Sequence, residues 1–383
     1  MSRLALLPPY LFAEIDAARR AALAAGRDVV DLGIGDPDRP TPAPLVEAMA
    51  AAVRRAVNHR YPANPGGMAL REALAGWLQR RHGVTADPGR EILALIGSKE
   101  GLGHLPLALL EEGDEALVPD PGYPVYGQAT LLAGGRPVPF TLRAEHGFRP
   151  DWDELEALVS PRTRLLFLNY PHNPTGATAD PELLRRAVAF GARHGIAVVQ
   201  DAAYLEVAFG AARPASLLAH ADLRRDRVIE LHSFSKMFNM TGWRIGFAVG
   251  NAGLVRDLAR VKESLDSGVF TAVQEAVTAG LGEIFDGLLT DVLAPYPRRR
   301  ALIVAALAAA GVEVFATDAT FYVWARVPGG GSSLNFCRRL LDEPGVVVTP
   351  GVGFGPAGEG WFRISLTAPD DRIAEGAQRL RRL

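Results

Sequence analysis

Cysteine is almost absent: Cys337 stands alone in 383 residues. No internal disulfide and no cysteine-based metal site can form, which suits a reducing compartment. Cys337 lies at helical spacing between leucines in LNFCRRLLDE and reads as a small buried hydrophobe. Lysine is scarce as well, with Lys99, Lys236 and Lys262 the only three among 41 basic residues. A lysine in chemically suggestive surroundings is therefore conspicuous. No run of five like charges occurs and the net charge is -2, so the basic footprint of a nucleic-acid binder is missing. The longest apolar run, residues 301–312, is alanine-rich and falls short of the roughly 20 residues of a membrane span. In MSRLALLPPYLFAEIDAARR, Pro8 and Pro9 interrupt the apolar stretch and acidic residues follow, so no signal peptide is read and a cytoplasmic location is expected. The eight histidines are scattered without an HExxH-type pair, against a metal hydrolase. GVGFGPAG and DLGIGDPD contain glycines but no following helix in a βαβ unit, against a nicotinamide fingerprint.

What is present is a globular balance, 48% hydrophobic and 22% charged, in a length that fits two or three compact units. After an early run at residues 31–34, short buried runs follow at EILALI (91–96), ALVP (116–119), RLLFLNY (164–170), IAVVQD (196–201), RVIELHS (227–233) and RIGFAVG (244–250). They read as parallel strands. Amphipathic stretches separate them, among them DPELLRRAVAFGARHG, where Asp180 can cap and Pro181 can open a helix. The alternation predicts an α/β sheet covered on both faces. From about residue 291 the rhythm becomes a long helix (PRRRALIVAALAAAG), strands VEVFA and TFYVWARV, a helix, VVVTP, WFRISL and a last helix. The expected division is an N-terminal arm over 1–45 returning to the small unit, a large domain over 46–290, and an α+β small domain over 291–383.

Six local patterns carry chemistry. In HSFSKMFNMTGWRIG, Lys236 follows a strand between Ser233 and Ser235, with Arg244 downstream. Two hydroxyls and an arginine are what a phosphate monoester needs, and the lysine beside them is a phosphate ligand or an amine nucleophile. IAVVQDAAY ends a strand on Asp201, with Tyr204 next, a carboxylate costly to bury alone. NYPHNPTGA puts Asn173 in a turn after another strand. LIGSKEG has Ser98 and Lys99 opening a helix, whose free amides bind anions. Tyr123 of PDPGYPVY can stack on a flat ring, and Arg363 of EGWFRISL sits inside an apolar strand. Each pattern also has an ordinary structural reading as cap, turn or core residue.

Taken in order, GSKEG, PGYP, NPTG, DAAY, SFSKMFNMTGWR and FRIS resemble the class I and II aminotransferases of fold type I, over nearly the whole chain. The resemblance implies a large domain with a mainly parallel seven-stranded sheet, a smaller α+β domain and pyridoxal 5'-phosphate as cofactor. It implies that Lys236 holds the cofactor covalently and later carries the proton, that Asp201 pairs with the pyridine nitrogen, and that Tyr204 and Asn173 bond the phenolic oxygen. Tyr123 would stack on the ring. Ser233, Ser235, Arg244 and the amides of Ser98 and Lys99 would hold the phosphate, joined by Tyr61 from a neighbouring subunit, so a homodimer is implied. Arg363 would take the substrate carboxylate, with Gly35 and Tyr10 nearby.

LPPYLFAEID, DLGIGDPDRPTP, NHRYP, DSGVF, ATFYVW and GVGFGPAGEGWFRISLTAP look most like the LL-diaminopimelate branch, which works in lysine biosynthesis. That resemblance implies amino transfer to 2-oxoglutarate by a ping-pong cycle. The sequence departs from it in two places: PANPGG after Tyr61 carries no acidic residue for a distal ammonium, and His172 stands where a small polar residue is usual. No second arginine is clearly placed for a side-chain carboxylate. Succinyl-diaminopimelate, aspartate, alanine and aromatic substrates stay open, as do a lyase or synthase reaction and a regulatory protein, the last weakened by the lack of a helix-turn-helix extension.

Overall fold

The structure is a computed structural model and describes residues 3–7, 11–210 and 213–383. Strand β1 (Val30–Asp31) lies in the arm. The large unit contributes β2 (Ile92–Leu95), β3 (Glu115–Asp120), β4 (Arg136–Thr141), β5 (Thr163–Leu168), β6 (Ala197–Asp201), β7 (Val228–Ser233) and β8 (Gly246–Gly250). They form one seven-stranded sheet in the order β2-β8-β7-β6-β5-β3-β4. The inner strands are buried on both faces, as their unbroken apolar runs require.

Two expectations about this sheet are corrected. Strand β8 runs antiparallel to both neighbours, β2 and β7. Residues 234–245, which lead into it, form a compact loop with a four-residue helix, Phe234–Met237, and not the crossover a parallel neighbour needs. The seventh strand is β4, RPVPFT, and not the early run: Pro137 and Pro139 disguise it, and it pairs only with β3 at the sheet edge, where proline is tolerated. The early run instead supplies β1, which pairs in parallel with β10 (Val346–Val347).

Beyond the helix Tyr296–Ala309, a second sheet combines β9 (Tyr322–Arg326), β11 (Thr349–Pro350) and β12 (Trp361–Ser365) in the order β11-β12-β9. VEVFA makes only an isolated bridge, Val314 to Ala325, so it is no strand of that sheet. Val30 and Leu32 share an apolar core with Ile303, Phe336, Phe362 and Ile373. Separate cores lie on the two faces of the large sheet, one built on Leu74, Trp77 and Phe247, the other on Leu102, Phe167 and Leu231. Helix Pro181–His194 shows the local rules at work: Asp180 accepts the Leu183 amide at 2.8 Å, Pro181 opens the first turn, and Gly195 closes the helix in the left-handed conformation. Among the described residues no helix is long and apolar enough to cross a membrane.

Candidate active site

In an open α/β sheet ligands bind beyond the C-terminal strand ends. Here β2, β3, β5, β6 and β7 all point the same way, and their ends deliver Gly97, Tyr123, Asn169 to Asn173, Asp201 and Ser233 to one edge. Lys236, in the short helix after β7, donates from Nζ to the carbonyl oxygen of Gly35 at 2.8 Å. Burial pushes its ammonium down to about 8, Asp36 pulls the other way, and Arg363 and Arg244 add to the depression. An amine so tuned sheds its proton just above neutral pH, far more readily than a free lysine, as a nucleophile or a base must.

Asp201 is 5% exposed at the end of β6. It accepts from the Tyr126 hydroxyl at 2.9 Å and the Ala203 amide at 3.3 Å, while the Asn169 side chain donates to its backbone carbonyl. Burial outweighs these bonds and raises the carboxyl to about 6. A buried carboxylate with no cation of its own is costly unless a ligand brings one. Next to it the Tyr204 hydroxyl lies 2.8 Å from that of Tyr322, and burial first, then Tyr322, holds its proton firmly.

Arg363, in β12 and 5% exposed, crosses from the small unit. It donates to Asn173 Oδ1 at 2.8 Å and to the Gly33 carbonyl at 2.9 Å, with Thr349 Oγ1 at 3.5 Å. Its guanidinium sits 4.0 Å above the Tyr322 ring and 4.8 Å from that of Phe354, and its buried Nε has no partner. With Oδ1 of Asn173 taken by Arg363, its Nδ2 is the group left to donate elsewhere. His172 beside it is fully buried, pushed down to about 3 by desolvation, and bonded through Nδ1 to Thr175 at 2.8 Å, so it is neutral.

At the other end Gly97 has φ +81° and precedes helix Ser98–Leu109. A Cβ on Gly97 would come within 2.5 Å of Arg244 Nη2, so only glycine lets that guanidinium approach the helix N-terminus. Arg244 is tethered to the Thr241 carbonyl at 2.7 Å, and Ser233 and Ser235 are buried nearby in sequence at the start of the lysine helix. The Lys99 side chain is exposed, which leaves its backbone amide as its contribution to the helix end. Tyr123 packs edge-on against Tyr126 and lines a cavity of about 420 Å³ with Asp120 and Phe354. Tyr61 is 90% exposed and stands apart from this cluster. Tyr10 lies outside the described residues. Tyr126, Asn169, Tyr322 and Phe354 were not singled out from sequence. Tyr126 falls three residues after Tyr123 in PGYPVY and Tyr322 lies in ATFYVW, so both were within reach of a pattern that asked which tyrosines share a helix or strand face.

The pattern of residues that defines aminotransferase class I and II matches residues 27–380. The chain belongs to that family. As a member it is a pyridoxal phosphate-dependent transaminase. It is 49% identical to the LL-diaminopimelate aminotransferase of Desulforudis audaxviator over 99% of this chain and 96% of that protein. Among solved structures, the substrate-bound BacF of Bacillus subtilis is 34% identical with a TM-score of 0.94, covering 100% of this chain and 97% of that one. The N-succinyldiaminopimelate aminotransferase of Mycobacterium tuberculosis is 32% identical with a TM-score of 0.92, covering 100% and 99%. This aminotransferase thus has the expected fold type I architecture.

Proposed function

We propose that the enzyme moves the α-amino group of LL-diaminopimelate, or a close analogue, to 2-oxoglutarate in a ping-pong cycle, as a cytoplasmic homodimer of use in lysine biosynthesis. The observation that carries the chemistry is the set of buried ionisable groups held only by neutral partners around one cleft: the Lys236 amine at about 8, the Asp201 carboxyl at about 6 and Arg363, whose Nε has no partner. Pyridoxal phosphate fits that set, because it brings a protonatable ring nitrogen for Asp201, a carbonyl carbon for Lys236 and a phosphate for the Gly97 cradle. When bound, it supplies the sink for the electron pair left on the substrate α-carbon.

The rest is done by this chain's residues. Asp201 keeps a proton on the ring nitrogen. Tyr204 and Asn173 Nδ2 donate to the phenolic oxygen, and Tyr123 covers one ring face. Ser233, Ser235, Arg244 and the amides of Ser98 and Lys99 grip the phosphate, with Tyr61 of a second copy of the chain. Arg363 takes the substrate carboxylate, exchanging Gly33 and Asn173 for it, beside Gly35 and Tyr10. Once released from the cofactor, the Lys236 amine would take the proton from the substrate α-carbon and deliver it to the cofactor carbon that carries the amino group away. The dimer is supported by Val57, in the short helix Ala56–His59, and Tyr61 just past it, both largely exposed, and the substrate by the 49% identity along the chain.

The test is the visible spectrum of the protein with pyridoxal phosphate, followed as LL-diaminopimelate, glutamate, aspartate, alanine and phenylalanine are added separately. Conversion to the amine form of the cofactor by LL-diaminopimelate and glutamate is expected. Conversion by glutamate and aspartate alone would overturn the substrate, and conversion by none would overturn amino transfer in this site.

A further inference from the structure

Tyr322 belongs to none of the six chemical patterns, yet it touches two of the residues they supplied, Tyr204 and Arg363, and lies against Gly35. Its hydroxyl is 2.8 Å from that of Tyr204, its ring lies 4.0 Å under the Arg363 guanidinium, and a Cβ built on Gly35 would overlap its hydroxyl. The side chain is 3% exposed. It is also held with unusual care. Arg300, itself buried, donates from Nη2 to the carbonyls of Ala319, Thr320 and Tyr322 at 3.1, 3.1 and 2.9 Å. Thr320 is fixed at φ +60°, a conformation a β-branched residue adopts only when its surroundings impose it. Its hydroxyl accepts the Tyr322 amide at 3.1 Å, and its own amide donates to Val207, in the turn that carries Tyr204.

Two hydroxyls 2.8 Å apart share one proton between them. If Tyr204 sends its proton outward, the proton between the two oxygens is that of Tyr322. A hydroxyl whose oxygen already accepts a bond is a stronger donor, because each bond polarises the next. We propose that Tyr322 is a positioning residue that donates to Tyr204 and so strengthens the bond Tyr204 makes to the cofactor's phenolic oxygen, while its ring face seats Arg363. This rests on the assignment of Tyr204 made above. One ring then sets both the carboxylate anchor and the proton affinity of the lysine linkage.

The experiment is a pH titration of the visible band of the holoenzyme. A donor to the phenolic oxygen favours the unprotonated linkage, so weakening that donor raises the midpoint. Tyr204→Phe should raise it most. Tyr322→Phe should raise it by about 0.5 to 1 unit, and should add nothing in a Tyr204→Phe background. Because the ring stays under Arg363, Tyr322→Phe should leave the affinity for propionate, read by competition, within roughly twofold, whereas Tyr322→Leu should weaken it by about tenfold. Gly35→Ala, which crowds the Tyr322 hydroxyl without removing it, should move the midpoint in the same direction and serves if Tyr322→Phe does not fold. A Tyr204→Phe enzyme with an unmoved midpoint would overturn the Tyr204 assignment. A moved Tyr204→Phe midpoint beside unmoved Tyr322→Phe, or Gly35→Ala where that variant stands in, would overturn the Tyr322 proposal alone.

Discussion

Around Trp77 the buried carboxylates have charged or protonatable partners of their own. Glu206 accepts from Arg81 Nε at 2.9 Å and lies 2.8 Å from His82 Nε2, and Glu230 has His232 at 3.0 Å and Ser216 at 2.9 Å. Burial alone would raise both carboxyls, but these partners outweigh it and hold them below the usual range. At the strand ends the balance is reversed. Asp201 is just as deeply buried but receives only neutral donors, and it is raised to about 6, while Lys236 is lowered to about 8. The same fold therefore pairs its buried charges where they are structural and leaves them wanting where a ligand completes them. Arg299, clamped between Asp38 and Asp370 at 2.6 Å each, is the small unit's example of the first kind, and Arg363 with its idle Nε is an example of the second.

The largest effect expected from breaking this contrast is at Lys236. Lys236→Ala should cut turnover by at least about 10^4-fold with the fold retained, checked by single-turnover absorbance with the best donor. Among the paired charges, Glu206→Gln takes the carboxylate away from the half-buried Arg81 and the buried His82 side chain and should cost about 2 kcal/mol of stability, measured by denaturant unfolding. The sign follows from its depressed carboxyl: the wild-type advantage is present above pH 4.5 and is lost as the pH falls through the folded value. Arg363→Ala should raise KM for every amino donor alike by a factor worth about 2 kcal/mol, and an effect confined to one donor would contradict its role as a common carboxylate anchor. The smallest change is Tyr61→Phe, which should weaken cofactor binding by about 1 kcal/mol. That loss should reappear as a mixed population when wild-type and variant chains are co-expressed, read by equilibrium dialysis.

Much of this was legible in the sequence because strand ends are chemically marked. An apolar run that stops on Asp201, or on Ser233 just before the rare Lys236, announces a site at that end. Pro137 and Pro139 hid β4, since an edge strand keeps only the pattern its one neighbour enforces. The direction of β8 was hidden because strand direction depends on the shape of the 234–245 loop and not on the strand's own residues. Tyr322 was hidden for a different reason. Its role comes from Gly35, Tyr204 and Arg363, which are distant along the chain and meet only once the small unit is folded against the lysine loop.

The contrast is tested most directly by the pH dependence of unfolding of Asp201→Asn against wild type, without and with pyridoxal phosphate. A carboxyl raised from 3.8 to about 6 makes the folded state bind the extra proton, so wild-type stability should fall between pH 4 and 6 and stay lower by about 3 kcal/mol above that window. Without cofactor, Asp201→Asn should therefore be the more stable protein at pH 7 to 8, with its advantage growing from pH 4 to 6. With cofactor the order should reverse, because only the aspartate gains a charged partner. An Asp201→Asn protein that is less stable without cofactor across that range would contradict the account and make Asp201 one more paired structural carboxylate.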